Sequence, residues 1–115
     1  MFAQWGIWDV EWVHEDGSSK RRPALVLSDS AYNEAHEEIW FVKISSQKHA
    51  AKGRIELMPG DSTFAVTGLR KRCFLYLTNV RQIPKSLVYE QRGVLHTSAR
   101  LMVEWWIRTN LGWPY

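Results

Sequence analysis

The stretch KRRPALVLS, residues 20–28, joins three basic residues and a proline to a short apolar run. Proline has no backbone N–H and biases the preceding residue toward extended backbone, so it suits the beginning of a strand better than a helix interior. The apolar run, residues 24–27, is nearly continuous and ends at polar residues 28–30. This pattern predicts a short strand that is buried on both faces, with Arg22 at its entrance.

The segments on either side of this stretch also have the pattern of short strands. Residues 6–13 alternate with period two, which predicts a first strand, and residues 14–20 predict a polar loop after it. Residues 39–44 are rich in aromatic and β-branched side chains and predict a third strand that stops at Ser45. The remaining predicted elements are a turn or short helix at 32–38, strands at 54–57, 73–77 and 88–94, and a turn at 59–61.

The last part of the sequence changes to a helical period. Thr97 or Ser98 suits the N-cap of an amphipathic helix that ends near Gly112, and Pro114 prevents its continuation. The apolar stripe expected on this helix consists of Leu101, Met102, Trp105 and Trp106. Because the two tryptophan rings cannot both lie on one narrow stripe, one of them is expected to contact a partner. Short strands closed by one helix predict a mainly β fold with a C-terminal helix, arranged as a small barrel.

Size and composition limit the classes of protein that the chain fits. Its 115 residues suit a single domain, residues 1–115, and no apolar run approaches the ~20 residues of a membrane helix. The lone Cys73 has no disulfide partner and no metal-ligand spacing, so we expect a cytoplasmic protein with no metal or other cofactor. Residues 1–38 hold three basic and eight acidic side chains, and residues 39–115 hold twelve and four. This asymmetry favours an anionic partner such as nucleic acid.

Four segments, in this order, resemble the PemK/MazF toxin family. They are WGIWDV at 5–10, KRRPALVLS at 20–28, VKISSQ at 42–47, and GLRK at 68–71 continuing through LYLTNVRQIP at 75–84. The resemblance implies an SH3-like small β-barrel of the PemK/MazF (CcdB-like) type that forms a two-fold homodimer. It also implies cleavage of single-stranded RNA and neutralisation by a cognate antitoxin.

The resemblance assigns the phosphate-handling roles to two strand ends. Arg22 matches the family's Arg-Pro position, and its permanently charged fork of donors suits a phosphate that gains charge. Ser45 stands where the family carries a hydroxyl residue that donates to a phosphate oxygen, and Ser46 and Gln47 are expected to hold the sugar-phosphate nearby. Without the resemblance, the same residues fit a solvated hairpin end and an ordinary serine turn.

The proton acceptor is left open among three neighbouring loop residues, His14, Glu15 and Asp16. In the family this loop covers the active site, and imidazole has the most suitable intrinsic pKa, so His14 is the preferred candidate. Some relatives carry an acidic residue at the position of Thr78, and some PemK-like ones an arginine at the position of Tyr76. This chain has neither charge, so its proton transfer must use other residues if it cleaves RNA.

Further RNA contacts are expected from basic residues outside these strand ends. They are Arg21, Arg70, Lys71 and Arg81, although such charges also serve as solvated surface, and Arg81 fits a role in the fold or dimer equally well. Aromatic side chains can stack on bases, but packing in the core or a dimer is the commoner use at strand spacing. The tryptophans concerned are Trp5, Trp8, Trp12 and Trp40.

Two functions therefore remain open from the sequence. The first is a metal-independent endoribonuclease, the toxin of a type II toxin-antitoxin system. The second is a non-catalytic module of the same fold that poisons gyrase or binds RNA without cutting it.

Overall fold

The structure is a computed structural model that describes residues 2–60 and 62–111. The last residue of the predicted turn at 59–61 lies outside this range, as do the helix-stopping Gly112 and Pro114. The elements in chain order are β1 (Gly6–Val13), β2 (Ser19–Val26), α1 (Ser30–Ala35), β3 (Glu38–Ser45), β4 (Arg54–Leu57), α2 (Ser62–Ala65), β5 (Cys73–Pro84), a 3₁₀ turn (Lys85–Leu87), β6 (Val88–Val94) and α3 (Thr97–Leu111).

The strands form one six-stranded sheet in the order β4-β5-β3-β2-β1-β6. Every neighbouring pair is antiparallel. Over the described residues, β4 and β6 are the two ends of this order, so the hydrogen-bonded ladder is not closed. The predicted class, mainly β with a C-terminal helix, is confirmed.

Two predicted strands, β2 and β5, proved longer than expected because ladder pairing extends them into polar sequence. β2 begins at Ser19 and not after Pro23, since its polar first half pairs with β1 from Val13 onward. The predicted loop is correspondingly shorter. β5 continues past residue 77 to Pro84 because it pairs along the whole of β3, with a bulge between the pairs Lys43–Tyr76 and Val42–Val80. The predicted turn or helix at 32–38 is α1, which begins after the Asp29 N-cap.

The sheet has a packed cluster on each face. One cluster contains Val10, Trp12, Ala24, Val26, Ile39, Phe41 and Ile83. The other contains Ile7, Leu25, Val42, Ile44, Leu75, Leu95 and Val103 among others. Because Leu25 alternates with Ala24 and Val26 between the two clusters, the prediction that residues 24–27 are buried on both faces is confirmed for these three.

Helix α3 presents a different face to the sheet from the one predicted. Val103 is fully buried, whereas Leu101, Met102 and Trp105 are 61%, 54% and 64% exposed. The packed face consists of Ala99, Val103, Trp106 and Ile107. These positions have the spacing of one helical face, and the small Ala99 lets the helix approach the sheet. Of the predicted stripe, only Trp106 packs against the core.

Trp106 also fixes the backbone that leads into β4. A Cβ at Gly53 would lie 2.7 Å from the Trp106 ring, and Gly53 has a positive φ of +72°. Both conditions favour glycine. The segment after β3 is therefore held between helix α3 and the sheet. None of the helices in the described ranges has the length and apolarity needed to cross a membrane.

Candidate active site

Strand pairing brings Arg22 and Ser45 to the same part of the sheet. Ala24 of β2 lies opposite Lys43 of β3. Arg22 lies two residues from Ala24 on β2, and Ser45 lies two residues from Lys43 on β3. Alternate residues of a strand share a face, so Arg22, Lys43 and Ser45 all lie on one side of the sheet.

These residues line a cleft of about 80 Å³. Its lining consists of Trp12, His14, Arg22, Pro23, Lys43, Ile44, Ser45, Gln47 and His49. The structure thus brings together four of the residues predicted to act on RNA, namely His14, Arg22, Ser45 and Gln47. They come from the loop after β1, from β2, from the end of β3 and from the segment that follows it.

The charges in the cleft suit an anion. Arg22 and Lys43 are cationic, His14 and His49 add two imidazoles, and the lining contains no Asp or Glu. An arginine fork and a serine hydroxyl on one wall match the oxygens of a phosphodiester. The cleft can therefore hold a phosphate and offers imidazoles for proton transfer.

The loop between β1 and β2 is closed by its own polar groups. The His14 N–H donates to the Ser18 carbonyl (2.7 Å), and the His14 carbonyl accepts from the Gly17 N–H (3.0 Å). Asp16 accepts from the Ser18 hydroxyl (2.6 Å) and the Ser18 N–H (2.9 Å), and these two bonds lower the pKa of its carboxyl. Of the three candidate proton acceptors, only His14 lines the cleft. Asp16 instead shapes the loop that carries it.

Ser45 makes the local turn that its sequence context allows. Its hydroxyl oxygen accepts a hydrogen bond from the Gln47 N–H (3.1 Å). This bond uses an oxygen lone pair and leaves the hydroxyl proton to donate to a phosphate oxygen. Ser46 is half-buried and is not among the lining residues.

Sequence reasoning missed Lys43 and His49 as cleft residues. Lys43 has the strand parity of Ser45, and this signal was available. His49 lies in a polar segment that has no periodicity, so its place was not readable from the sequence. Its position depends on Tyr76 in β5, whose hydroxyl accepts from the His49 N–H (2.9 Å) and donates to the Gln47 carbonyl (2.6 Å).

The other predicted basic residues lie outside the cleft lining. The Arg21 guanidinium carbon is 3.9 Å from the centre of the Tyr89 ring, on the face opposite Arg22. Arg81 donates to the Val13 carbonyl beside the His14 loop and lies over the Trp12 ring, which supports a role in the fold. Arg70 and Lys71 are exposed in the segment before β5. This segment enters the sheet near Ser45, because Phe74 lies opposite Ser45.

The predicted aromatic contacts divide between packing and exposure. Trp12 is 3% exposed, and it packs in the core beside the cleft. Trp5 and Trp8 are half-buried against the two clusters, whereas Trp40 is 37% exposed. Thr78 is exposed in the β5 bulge. Across residues 2–60 and 62–111, no three His, Cys, Asp or Glu side chains come together as a metal site.

Comparison with known proteins gives a family and a fold. The family model described as "PemK-like, MazF-like toxin of type II toxin-antitoxin system" matches residues 3–111. No curated protein sequence matches the chain. A mycobacterial endoribonuclease solved with its cognate antitoxin is 14% identical, with a TM-score of 0.77 over 100% of this chain and 99% of that one.

Two further solved structures have the same fold. The Mycobacterium tuberculosis toxin MazF-mt6 is 18% identical, with a TM-score of 0.75 over 96% of this chain and 99% of the toxin. A MazE–MazF structure from Deinococcus radiodurans is 20% identical, with a TM-score of 0.73 over 98% of each chain.

Proposed function

Because the chain belongs to the PemK-like, MazF-like toxin family of type II toxin-antitoxin systems, we propose that it is an endoribonuclease that cleaves single-stranded RNA without a metal ion. The observation that carries the proposal is the common cleft of Arg22, Ser45 and His14. Metal-independent cleavage needs a held phosphate, a stabilised negative charge and a proton acceptor. These three side chains offer one group for each need.

In the proposed reaction, the 2′-hydroxyl of the RNA attacks the adjacent phosphorus. His14 accepts the proton of this hydroxyl as the O2′–P bond forms. Arg22 donates to the non-bridging oxygens, which carry the most charge in the transition state, and Ser45 donates from the neighbouring strand. The P–O5′ bond then breaks and O5′ takes up a proton, which leaves a 2′,3′-cyclic phosphate and a 5′-hydroxyl.

The remaining basic and polar residues are proposed to hold RNA on either side of the scissile phosphate. Gln47 lies in the cleft, and Ser46 is adjacent to it. Arg70 and Lys71 stand near the same end of β3, where their charges suit flanking phosphates. Arg21 and Arg81 are proposed to contribute less to RNA binding, since each already contacts another group within the chain. Each phosphate contact makes binding more sensitive to salt.

The family and its solved members support a proposal for the biological setting. A mycobacterial endoribonuclease and the Deinococcus toxin were each solved with an antitoxin. We infer that this chain works in the cytoplasm as a single PemK/MazF-like domain, residues 1–115. It is expected to form a homodimer and to be neutralised by its own cognate antitoxin.

The activity is tested by incubating the purified protein with single-stranded RNA in excess EDTA. We expect discrete fragments that carry 2′,3′-cyclic phosphate and 5′-hydroxyl ends, because the 2′-oxygen is the nucleophile. RNA with 2′-deoxy nucleotides at the mapped sites should resist cleavage. Intact RNA after prolonged incubation would contradict the proposal.

The non-catalytic alternative predicts a different outcome in cells. A gyrase-poisoning module would arrest growth with intact RNA and damaged DNA. A passive RNA-binding module would retain RNA in a salt-sensitive way without arresting growth. The uncharged Tyr76 and Thr78 favour these alternatives only if proton transfer in this cleft requires a charged residue at either position.

A further inference from the structure

The proposed reaction moves two protons, and His14 accounts for only one of them. The departing 5′-oxygen would leave as an alkoxide unless a group in the cleft protonates it. Arg22 keeps its proton throughout the physiological range, and it serves poorly as a donor in this step. A serine hydroxyl is also a weak acid, so Ser45 does not fill the role. The other imidazole in the cleft lining is that of His49, and imidazole is the side chain most often used as a general acid.

His49 is held in place by three hydrogen bonds to its peptide segment. The Tyr76 hydroxyl accepts from the His49 N–H, and the same hydroxyl donates to the Gln47 carbonyl. Arg54 of β4 donates to the His49 carbonyl (2.7 Å). The Tyr76 ring is 2% exposed and forms part of the core of β5. A buried ring therefore anchors an exposed histidine at the rim of the phosphate cleft.

The Tyr76 hydroxyl accepts one hydrogen bond and donates its single proton to the Gln47 carbonyl. Neither bond goes to a side chain in the cleft, and the hydroxyl has no charge to contribute. Tyr76 therefore acts on the cleft through the segment that it holds. This places a positioning group where some relatives carry an arginine.

On the basis of the function proposed above, we propose that His49 is the proton donor to the leaving 5′-oxygen and that Tyr76 positions His49. His14 takes the 2′-hydroxyl proton as the O2′–P bond forms. Protonated His49 gives its proton to O5′ as the P–O5′ bond breaks. The products are the cyclic phosphate and a neutral 5′-hydroxyl, with one protonated and one neutral histidine. A proton exchange with water restores both histidines.

The surroundings of His49 are cationic or neutral. Arg22, Lys43 and His14 share its cleft, Arg54 binds its carbonyl, and Tyr76 lies beneath it at a ring-centre distance of 5.9 Å. None of the lining residues is acidic, so the phosphate of the substrate is the anion that a protonated His49 would meet there.

The first test compares His49→Ala with wild-type protein on an RNA whose cleavage site has been mapped. We expect a rate about 10²–10⁴-fold lower, the usual contribution of a positioned proton donor. His36→Ala is the matched control, since His36 is exposed and contacts Tyr32 away from the cleft. Thermal unfolding of both variants verifies that the fold is kept.

The second test replaces the 5′-oxygen at the mapped bond with sulfur. A thiolate leaves without protonation, because thiols have pKa values near ~8.5 whereas that of water is ~15.7. His49→Ala should then cut within about 10-fold of the wild-type rate, whereas His14→Ala should remain slow on both substrates. A purely structural defect would slow both substrates equally.

The third test uses Tyr76→Phe, which keeps the buried ring and removes the hydroxyl. On ordinary RNA it should lower the rate about 10-fold in the wild-type background. It should have little further effect in the His49→Ala background, because the two residues act as a unit.

The outcomes separate the two levels of the proposal. Suppose that wild-type protein cuts RNA and that His49→Ala cuts it equally fast. His49 is then not the proton donor, and the proposed function stands. The same conclusion holds if the sulfur substitution does not restore the rate of His49→Ala toward that of wild-type protein. If Tyr76→Phe lowers the cleavage rate by the same factor in the His49→Ala background as in the wild-type background, Tyr76 does not act through His49. If wild-type protein cuts neither substrate, both proposals fail.

Discussion

Arg22→Ala should cleave single-stranded RNA about 10²–10³-fold more slowly than wild-type protein, the usual loss when one preorganised donor to a developing charge is removed. The loss should appear mainly in kcat, because the charge on the phosphate oxygens is greatest in the transition state. The cleavage rate of Arg22→Lys should lie between those of wild-type protein and Arg22→Ala, since lysine restores the charge without the planar fork of donors. Single-turnover cleavage of a mapped RNA in EDTA measures all three.

The control for this series is Lys85→Ala, which removes one positive charge elsewhere. Lys85 follows Pro84, which lies opposite Glu38 at the start of β3, so it is at the far end of that strand from Ser45. We expect wild-type cleavage from this variant. Wild-type cleavage by Arg22→Ala itself would remove Arg22 from the mechanism.

Phe41→Ala should lower the free energy of unfolding by about 3–5 kcal/mol, the usual cost of removing a buried aromatic ring. Phe41 is fully buried in the cluster with Val10 and Trp12, on the strand that carries Lys43 and Ser45 to the cleft. Since small domains are stable by only ~5–15 kcal/mol, this is a large fraction of the total. Urea unfolding followed by fluorescence gives the value.

The matched control removes a larger ring from an exposed position. Trp105 is 64% exposed on α3, so Trp105→Ala should cost less than about 1 kcal/mol. If Phe41→Ala and Trp105→Ala lower the free energy of unfolding equally, the described packing of β3 or of α3 is incorrect.

Local pattern was sufficient to predict several elements but not the orientation of α3. β1, β4 and β6 have the predicted bounds because each is a short run that ends in turn or loop residues. In α3 the large side chains of Leu101, Met102 and Trp105 dominated the predicted stripe. The sheet instead accepts the face that has the small Ala99 and the β-branched Val103. Which face packs depends on the shape of the surface opposite, and a single helix does not contain that information.

The cleft was predictable in part, for an identifiable reason. Arg22 and Ser45 were brought together by the resemblance, and the register of β2 against β3 gives the physical basis for that pairing. His49 was not predictable, because its place is set by the Tyr76 hydroxyl, 27 residues away in the chain. In the sequence alone, Tyr76 is apparent only as an uncharged residue at a position where some relatives carry an arginine. Its hydrogen bonds are visible only once β5 lies beside β3 and β4.

If the cleft around Arg22 and Ser45 holds the scissile phosphate, an uncleavable RNA should bind there, and the site of binding can be mapped. A single-stranded oligonucleotide with 2′-O-methyl groups has no attacking hydroxyl, so it can be titrated into isotope-labelled protein and followed by NMR. We expect the largest shifts on the Arg22 side-chain Nε–H and on the amides of Ser45, Gln47 and His49. Shifts confined to the groove between β4 and α3, around Leu57, Leu95 and Met102, with the Arg22 and Ser45 signals unmoved, would contradict it.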